Sequence, residues 1–293
     1  MQSNGAIRPR SRSRSLAVLL LLLSLLLFLV TLSGCAGYVG APGPADRLPP
    51  GVRSDTVEDP HVLLDAHGRR LADLPYTVEN TFVSRPAGEK PGVRVTRVIR
   101  FGGDRRRYWA RSRTGTWGPG GEGIANRTVV RWSNGTAIAI NRTVGTRTTY
   151  AGTRDGVGLF YPEPTPGDFR EGLYVLLATS DLSVRAATGE DELLLSGRIP
   201  ERPWAVVRAF DRTRNPPDAS VADARVQLIV TDDGLIRFWR VSWVVVRADG
   251  IRYRESWTVR VLAIGSTSIP RPDWVHLALA NETAPTEVPG PIR

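Results

Sequence analysis

Apolar positions recur along this chain at two different periods. Val57, Leu64, Leu71 and Leu74 share one helical face behind Asp59-Pro60, a capping carboxylate followed by proline at the first helical position, and Pro75 ends the pattern. A helix over about 60–74 is predicted. A period of two then takes over at 76–84, 92–101, 104–113, 127–133, 136–141 and 144–151, segments rich in Val, Thr, Ile and aromatic residues with Gly-rich breaks. Val93, Val95, Ile99 and Phe101 alternate with Arg94, Thr96 and Arg100, as in a half-buried strand, and Asn134-Gly135 is a two-residue hairpin signal.

A proline-rich break at Pro162, Pro164 and Pro166 precedes Asp168, which with Glu171 makes a capping-box pattern for a second helix bearing Phe169, Leu173, Leu176 and Leu177. Strands are predicted again at 182–188, 191–199 and 204–210. The clearest sheet segment is last: 222–231, a turn at Asp232-Asp233-Gly234, 235–247, a turn at Asp249-Gly250, then 251–264. There Ile251, Tyr253, Trp257, Val259, Val261 and Ala263 alternate with Arg252, Arg254, Ser256, Thr258 and Arg260, so one face meets a core and the other water. A short final helix after Pro272 would carry Trp274, Val275, Leu277 and Leu279. The strands are joined by hairpins and not by crossovers, which excludes a doubly wound sheet. The expected fold class is α+β: a strongly curved antiparallel sheet, a half-barrel, with two or three helices on its concave face, preferred over a two-sheet sandwich.

The chain has 293 residues, 41% of them apolar and 23% charged, which is too hydrophobic for general disorder. One cysteine excludes a disulfide framework and a four-thiolate zinc site. Its position changes the picture. Residues 1–15 carry Arg8, Arg10, Arg12 and Arg14 with no acid, and Leu16–Val30 is apolar with Ser24 as its interruption. That is the n-region and h-region of a secretory signal, and the apolar run is short of the roughly 20 residues of a permanent span. Leu32-Ser33-Gly34-Cys35 follows at once and looks like a lipobox, in which the thiol is alkylated by a diacylglycerol and the preceding peptide is removed. Two acyl chains suffice for stable anchoring. The expected organisation is therefore a signal peptide at 1–34, lipidated Cys35 with a Gly/Pro/Ala-rich linker at 35–50, a folded domain at 51–280 and a loose tail at 281–293. The expected location is the extracytoplasmic membrane face.

Removing the leader's four arginines leaves 35 basic against 29 acidic residues, a net of +6 over 259 residues. Four of the seven asparagines, Asn126, Asn134, Asn141 and Asn281, lie in Asn-x-Thr sequons. This excess favours an exposed glycoprotein, while a Thr-rich strand region also inflates the count.

The chemistry-bearing candidates are few. Gly118, Gly120 and Gly123 match GxGxxG, but a strand follows where a phosphate-binding helix would be needed. His61, His67 and His276 have no metal-site spacing, and no GxSxG elbow occurs. No catalytic residue, metal site or cofactor is expected. Arg105-Arg106-Arg107-Tyr108-Trp109 with Arg111 and Arg113 reads as an outward arginine row beside inward aromatics, or as a contact for acidic headgroups or surface polymers; the extracellular setting argues against nucleic acid. Trp239, Trp243 and Trp257, on adjacent predicted strands, are either ordinary core or the wall of an apolar pocket.

The order of parts, from the lipobox through the helix running into Tyr76-Thr77-Val78, the broad sheet and the closing Pro270-Arg271-Pro272-Asp273-Trp274, resembles an uncharacterised family of haloarchaeal surface lipoproteins. More distantly it is similar to the lipoprotein-carrier and mycobacterial lipid-binding lipoprotein superfamily. The resemblance covers about residues 50–280. It implies a half-barrel whose concave face, plugged by helices, accepts acyl chains. The basic net charge departs from the acidic composition usual in haloarchaea. A non-enzymatic, lipid-anchored surface protein that holds a lipophilic ligand is therefore expected, with a structural or adhesion module of the envelope as the alternative.

Overall fold

The computed structural model describes residues 48–88, 92–117, 126–154, 166–187, 191–200, 203–210, 220–248 and 250–280, all within the compact unit Pro44–Arg293. The signal segment, Leu32, Ser33, Gly34 and Cys35, the Gly118–Gly123 run, Asn281 and the tail lie outside the described residues.

Helix α1 (Pro60–Leu71) starts where Asp59 accepts hydrogen bonds from the backbone N–H groups of His61 and Val62. Six strands then meander outward: β1 (Tyr76–Pro86), β2 (Gly92–Phe101), β3 (Arg107–Trp117), β4 (Arg127–Asn134), β5 (Ile138–Val144) and β6 (Arg147–Thr153). Helix α2 (Pro166–Thr179) precedes β7 (Asp181–Ala186) and β8 (Glu192–Arg198). After α3 (Pro203–Phe210), strands β9 (Ser220–Thr231), β10 (Ile236–Val246) and β11 (Arg252–Leu262) return, and α4 (Val275–Ala280) ends the described chain. All eleven strands make one antiparallel sheet in the order β6-β5-β4-β3-β2-β1-β11-β10-β9-β8-β7. The two meanders meet where β11 pairs with β1, and the sheet stays open at β6 and β7. This is the curved α+β half-barrel expected from the hairpin pattern.

Register assigns every side chain to a face. The inner face carries Val78 opposite Val261 and Ile99, and Phe82 opposite Trp257 and Val95. A continuous core joins that face to Leu63, Leu64 and Leu71 of α1, Leu173, Leu176 and Leu177 of α2, and Val206 and Val207 of α3. Burying each such side chain is worth about 1.5–3 kcal/mol, so helix docking on the sheet fixes the curvature more than local propensity does.

Residues 204–210, read above as a strand, are helix α3. Trp204-Ala205-Val206-Val207 has strand-like composition, but Val206 and Val207 are adjacent and both buried, which a period of two cannot provide on one face. Pro203 opens the helix. The third strand also runs later than the pattern predicts, because Gly102–Arg107 is a turn in which Asp104 accepts from the Arg107 N–H.

Helix α4 takes the outer face. Val275 and Ala278 pack with Trp132 and Ala139, flanked by Trp109, Tyr150 and Trp274. Gly152 permits the approach, since a Cβ there would lie 2.9 Å from the Ala278 carbonyl oxygen.

Candidate functional site

The inner face has two unlike halves. On β1 and β7–β11 it is largely apolar and packed beneath the helices, with Leu195, Leu228, Trp239, Val241 and Val259 at or near zero exposure, and the same core runs on to Ile99, Phe101, Tyr108 and Ala110 of β2 and β3. On the remainder of β2–β5 the same face carries charge. Arg97 lies opposite Asn80 and Ser112, Arg131 lies opposite Ala110 and Ile140, and Arg127 lies opposite Thr114 and Val144. Arg142 shares that face, opposite Val129. None of β4–β6 contributes to the core beneath α1–α3.

The electrostatics follow from this packing. Burial first, then the neighbouring charges of Arg142 and Arg131, hold the Arg127 guanidinium below its ordinary value. Its Nε is shielded from solvent without a hydrogen-bond acceptor. At the centre of the sheet Asn80 is 2% exposed and its Nδ2 also has no acceptor; the Tyr76 hydroxyl is in the same position. Such groups favour negative charge or an acceptor brought close to them.

The three tryptophans singled out in the sequence fall together on the inner face but inside the core. Trp239 is 1%, Trp243 2% and Trp257 7% exposed. The Trp243 indole N–H donates to Glu255 Oε2 at 3.0 Å, and the Ser84 hydroxyl donates to Glu255 Oε1 at 2.9 Å. Glu255, 1% exposed, was not singled out by sequence reasoning. Its position among the apolar residues of its strand, between Tyr253 and Trp257, is the signal that marks it. Trp257 and Phe82, with ring centroids 5.8 Å apart, are cross-strand neighbours, and Phe82 lies diagonal to Arg97.

The described sequons lie elsewhere. Asn126 and Asn134 are exposed and Asn141 is half-exposed, and register puts Asn134 and Asn141 on the outer face. Asn134 Oδ1 accepts from the N–H groups of Thr136 and Ala137 and so fixes the hairpin turn. Tyr108 points inward as expected, whereas Trp109 shares the outer face with Arg111 and Arg113 and lies beneath the Arg100 and Arg111 guanidiniums at 5.0 and 5.7 Å.

His67 is a structural group: its Nδ1 accepts from the Ile236 N–H at 3.2 Å. Among the described residues no three of His, Cys, Asp and Glu gather as a metal site, and no helix is long and apolar enough to cross a membrane.

No family model matches the chain, and no curated protein matches it. Among solved structures it is similar to a DUF1329 family protein from Desulfovibrio piger, at 10% identity over 74% of this chain and 96% of that one, with a TM-score of 0.26. The comparisons thus give a distant structural neighbour and no family. The haloarchaeal lipoprotein resemblance rests on the motifs that carry it.

Proposed function

We propose that the chain is a non-enzymatic, lipid-anchored protein of the extracytoplasmic membrane face whose half-barrel binds an amphiphile with an anionic head. The observation that carries this reading is the division of the inner face between a helix-covered apolar core, which takes in Ile99, Phe101 and Tyr108, and a region of β2, β4 and β5 bearing Arg97, Arg127, Arg131 and Arg142. The apolar portion of the ligand lies along Val95 and Phe82, which are half-buried. Its head meets the Arg127, Arg131 and Arg142 cluster, where a negative charge relieves the repulsion that these groups exert on one another. The Asn80 amide is a further donor on the same side. Anchoring is supported by the lipobox at Leu32–Cys35, and no cofactor or nucleic acid enters the reading.

Solvent extraction and mass spectrometry of protein purified from its own membrane test the ligand. A co-purifying acidic lipid beyond the covalent anchor is expected, and a lipid-free protein counts against the proposal. Intact mass of the mature protein tests the anchor: a chain beginning at Cys35 with a diacylglyceryl-sized addition is expected, and a Cys35→Ser variant should be released or unprocessed.

The near-complete burial of Trp239, Trp243 and Trp257 favours a second reading, in which the sheet is a solid envelope scaffold and its contacts are external. The same extraction separates the two, because a scaffold carries no exchangeable lipid.

A further inference from the structure

The outer face of the five central strands is a broad cationic surface. Register places Arg240, Thr258, Thr81, Thr96 and Arg113 in one row across β10, β11, β1, β2 and β3. The flanking rows add Arg94, Arg100, Arg254 and Arg260 to the same face. Glu79, opposite Arg260, is the one carboxylate these strands place there. Arg94, Arg113, Arg240, Arg254 and Arg260 are exposed, and Arg100 is half-exposed. Among the described residues none of the six joins an ion pair; Arg100 and Arg260 lie instead over the rings of Trp109 and Phe238.

We infer that this face docks on an anionic lipid bilayer surface. Charge complementarity selects an acidic partner. The dimensions select a plane: four strand spacings separate Arg240 from Arg113, about 19 Å, and six residues of extended strand separate Arg254 from Arg260, about 20 Å. Charge spread in two directions over the convex side of a curved sheet suits a field of headgroups. A single polyanion would be held better by charge aligned along a groove. The threonine hydroxyls between the arginines can donate to phosphate oxygens. The inference is independent of any ligand on the inner face, which lies on the opposite side of the sheet.

The test is vesicle sedimentation of the mature chain carrying Cys35→Ser and made without glycans, so that neither an acyl anchor nor sugars on Asn126 or Asn141 contribute. Binding to phosphatidylcholine vesicles containing phosphatidylglycerol, but not to phosphatidylcholine alone, is expected, and it should weaken steeply with salt. Arg94→Thr, Arg113→Thr and Arg240→Thr together should reduce partition roughly a hundredfold, at about fivefold per arginine. A charge-matched triple away from the face, Arg69→Thr, Arg147→Thr and Arg247→Thr, should keep most of the binding, which separates local recognition from net charge. Circular dichroism confirms that both triples fold. Absence of vesicle binding, equal binding to neutral vesicles, or equal loss in both triples would overturn the inference. So would retention of a soluble sulfated polymer by a chain that ignores the vesicles.

Discussion

His67 gives this protein a predictable response to acid. The imidazole sits on α1 and accepts a hydrogen bond from the first residue of β10, so it must be neutral at Nδ1 for the helix to dock there. The neighbouring Arg70–Asp233 ion pair, 2.7 Å, ties the same helix to the preceding turn. Burial, and behind it the positive charges of Arg105 and Arg170, push the His67 pKa from 6.5 down to about 4. In the unfolded chain the group takes up its proton near 6.5, whereas in the folded chain it does so near 4. Stability is therefore fully present above pH 6.5 and is lost as the pH falls to about 4, below which the loss levels off. At about 1.4 kcal/mol per unit the full loss is about 3 kcal/mol, an upper value because the residue as a whole is only half-buried. His67→Asn isolates the effect: the amide oxygen can accept from Ile236, and nothing titrates. Asp65 and Asp104 have carboxyls held below their ordinary range, the first by its hydrogen bond to Arg170 and the second by hydrogen bonds and charge from Arg107 outweighing desolvation, so both titrate below the histidine window. Urea unfolding of both proteins across this pH range provides the measurement. The wild-type curve should fall relative to the variant by up to about 3 kcal/mol between neutral pH and about 4. Parallel curves would refute the reasoning.

Three further substitutions follow from particular contacts. Asp59→Ala removes the cap of α1 and should cost about 1 kcal/mol in urea denaturation. Glu255→Ala leaves the Trp243 indole and the Ser84 hydroxyl buried without their acceptor, and a loss of about 2–4 kcal/mol is expected, with a changed tryptophan emission spectrum reporting the site. Gly234→Ala meets two obstacles, a φ of +87° and a Cβ position 2.6 Å from the Ala66 Cβ, so a lower thermal midpoint and weaker docking of α1 are expected.

Local chemistry made much of the fold readable in advance. Asp59-Pro60 marked α1, Asn134-Gly135 and Asp233-Gly234 marked two hairpins, and clean alternation marked β2 and β11. Non-local choices were not readable. Pairing of β11 with β1 closes two meanders separated by most of the chain, and no local signal encodes it. The segment at 203–210 has strand composition and becomes helix because packing overrides propensity. The candidate site was hidden for the same reason. Arg97 lies at the apolar parity of its strand, between Val95 and Ile99, and Arg127 and Arg131 share the parity of Val129; each is an arginine where alternation calls for an apolar residue. These violations are the sequence trace of the inner arginine cluster, but only register brings Arg142 into it.

Binding of an anionic amphiphile on the inner face is the property on which the proposed function depends. A titration of the delipidated mature chain with a fluorescent fatty acid and with the matching fatty alcohol tests it most directly. Saturable binding of the acid is expected, at least about tenfold tighter than the alcohol, as for a charge-assisted contact. Arg127→Gln with Arg142→Gln should abolish that preference while leaving alcohol binding in place. Failure of both compounds to bind, or equal affinities that the double substitution does not alter, would contradict it.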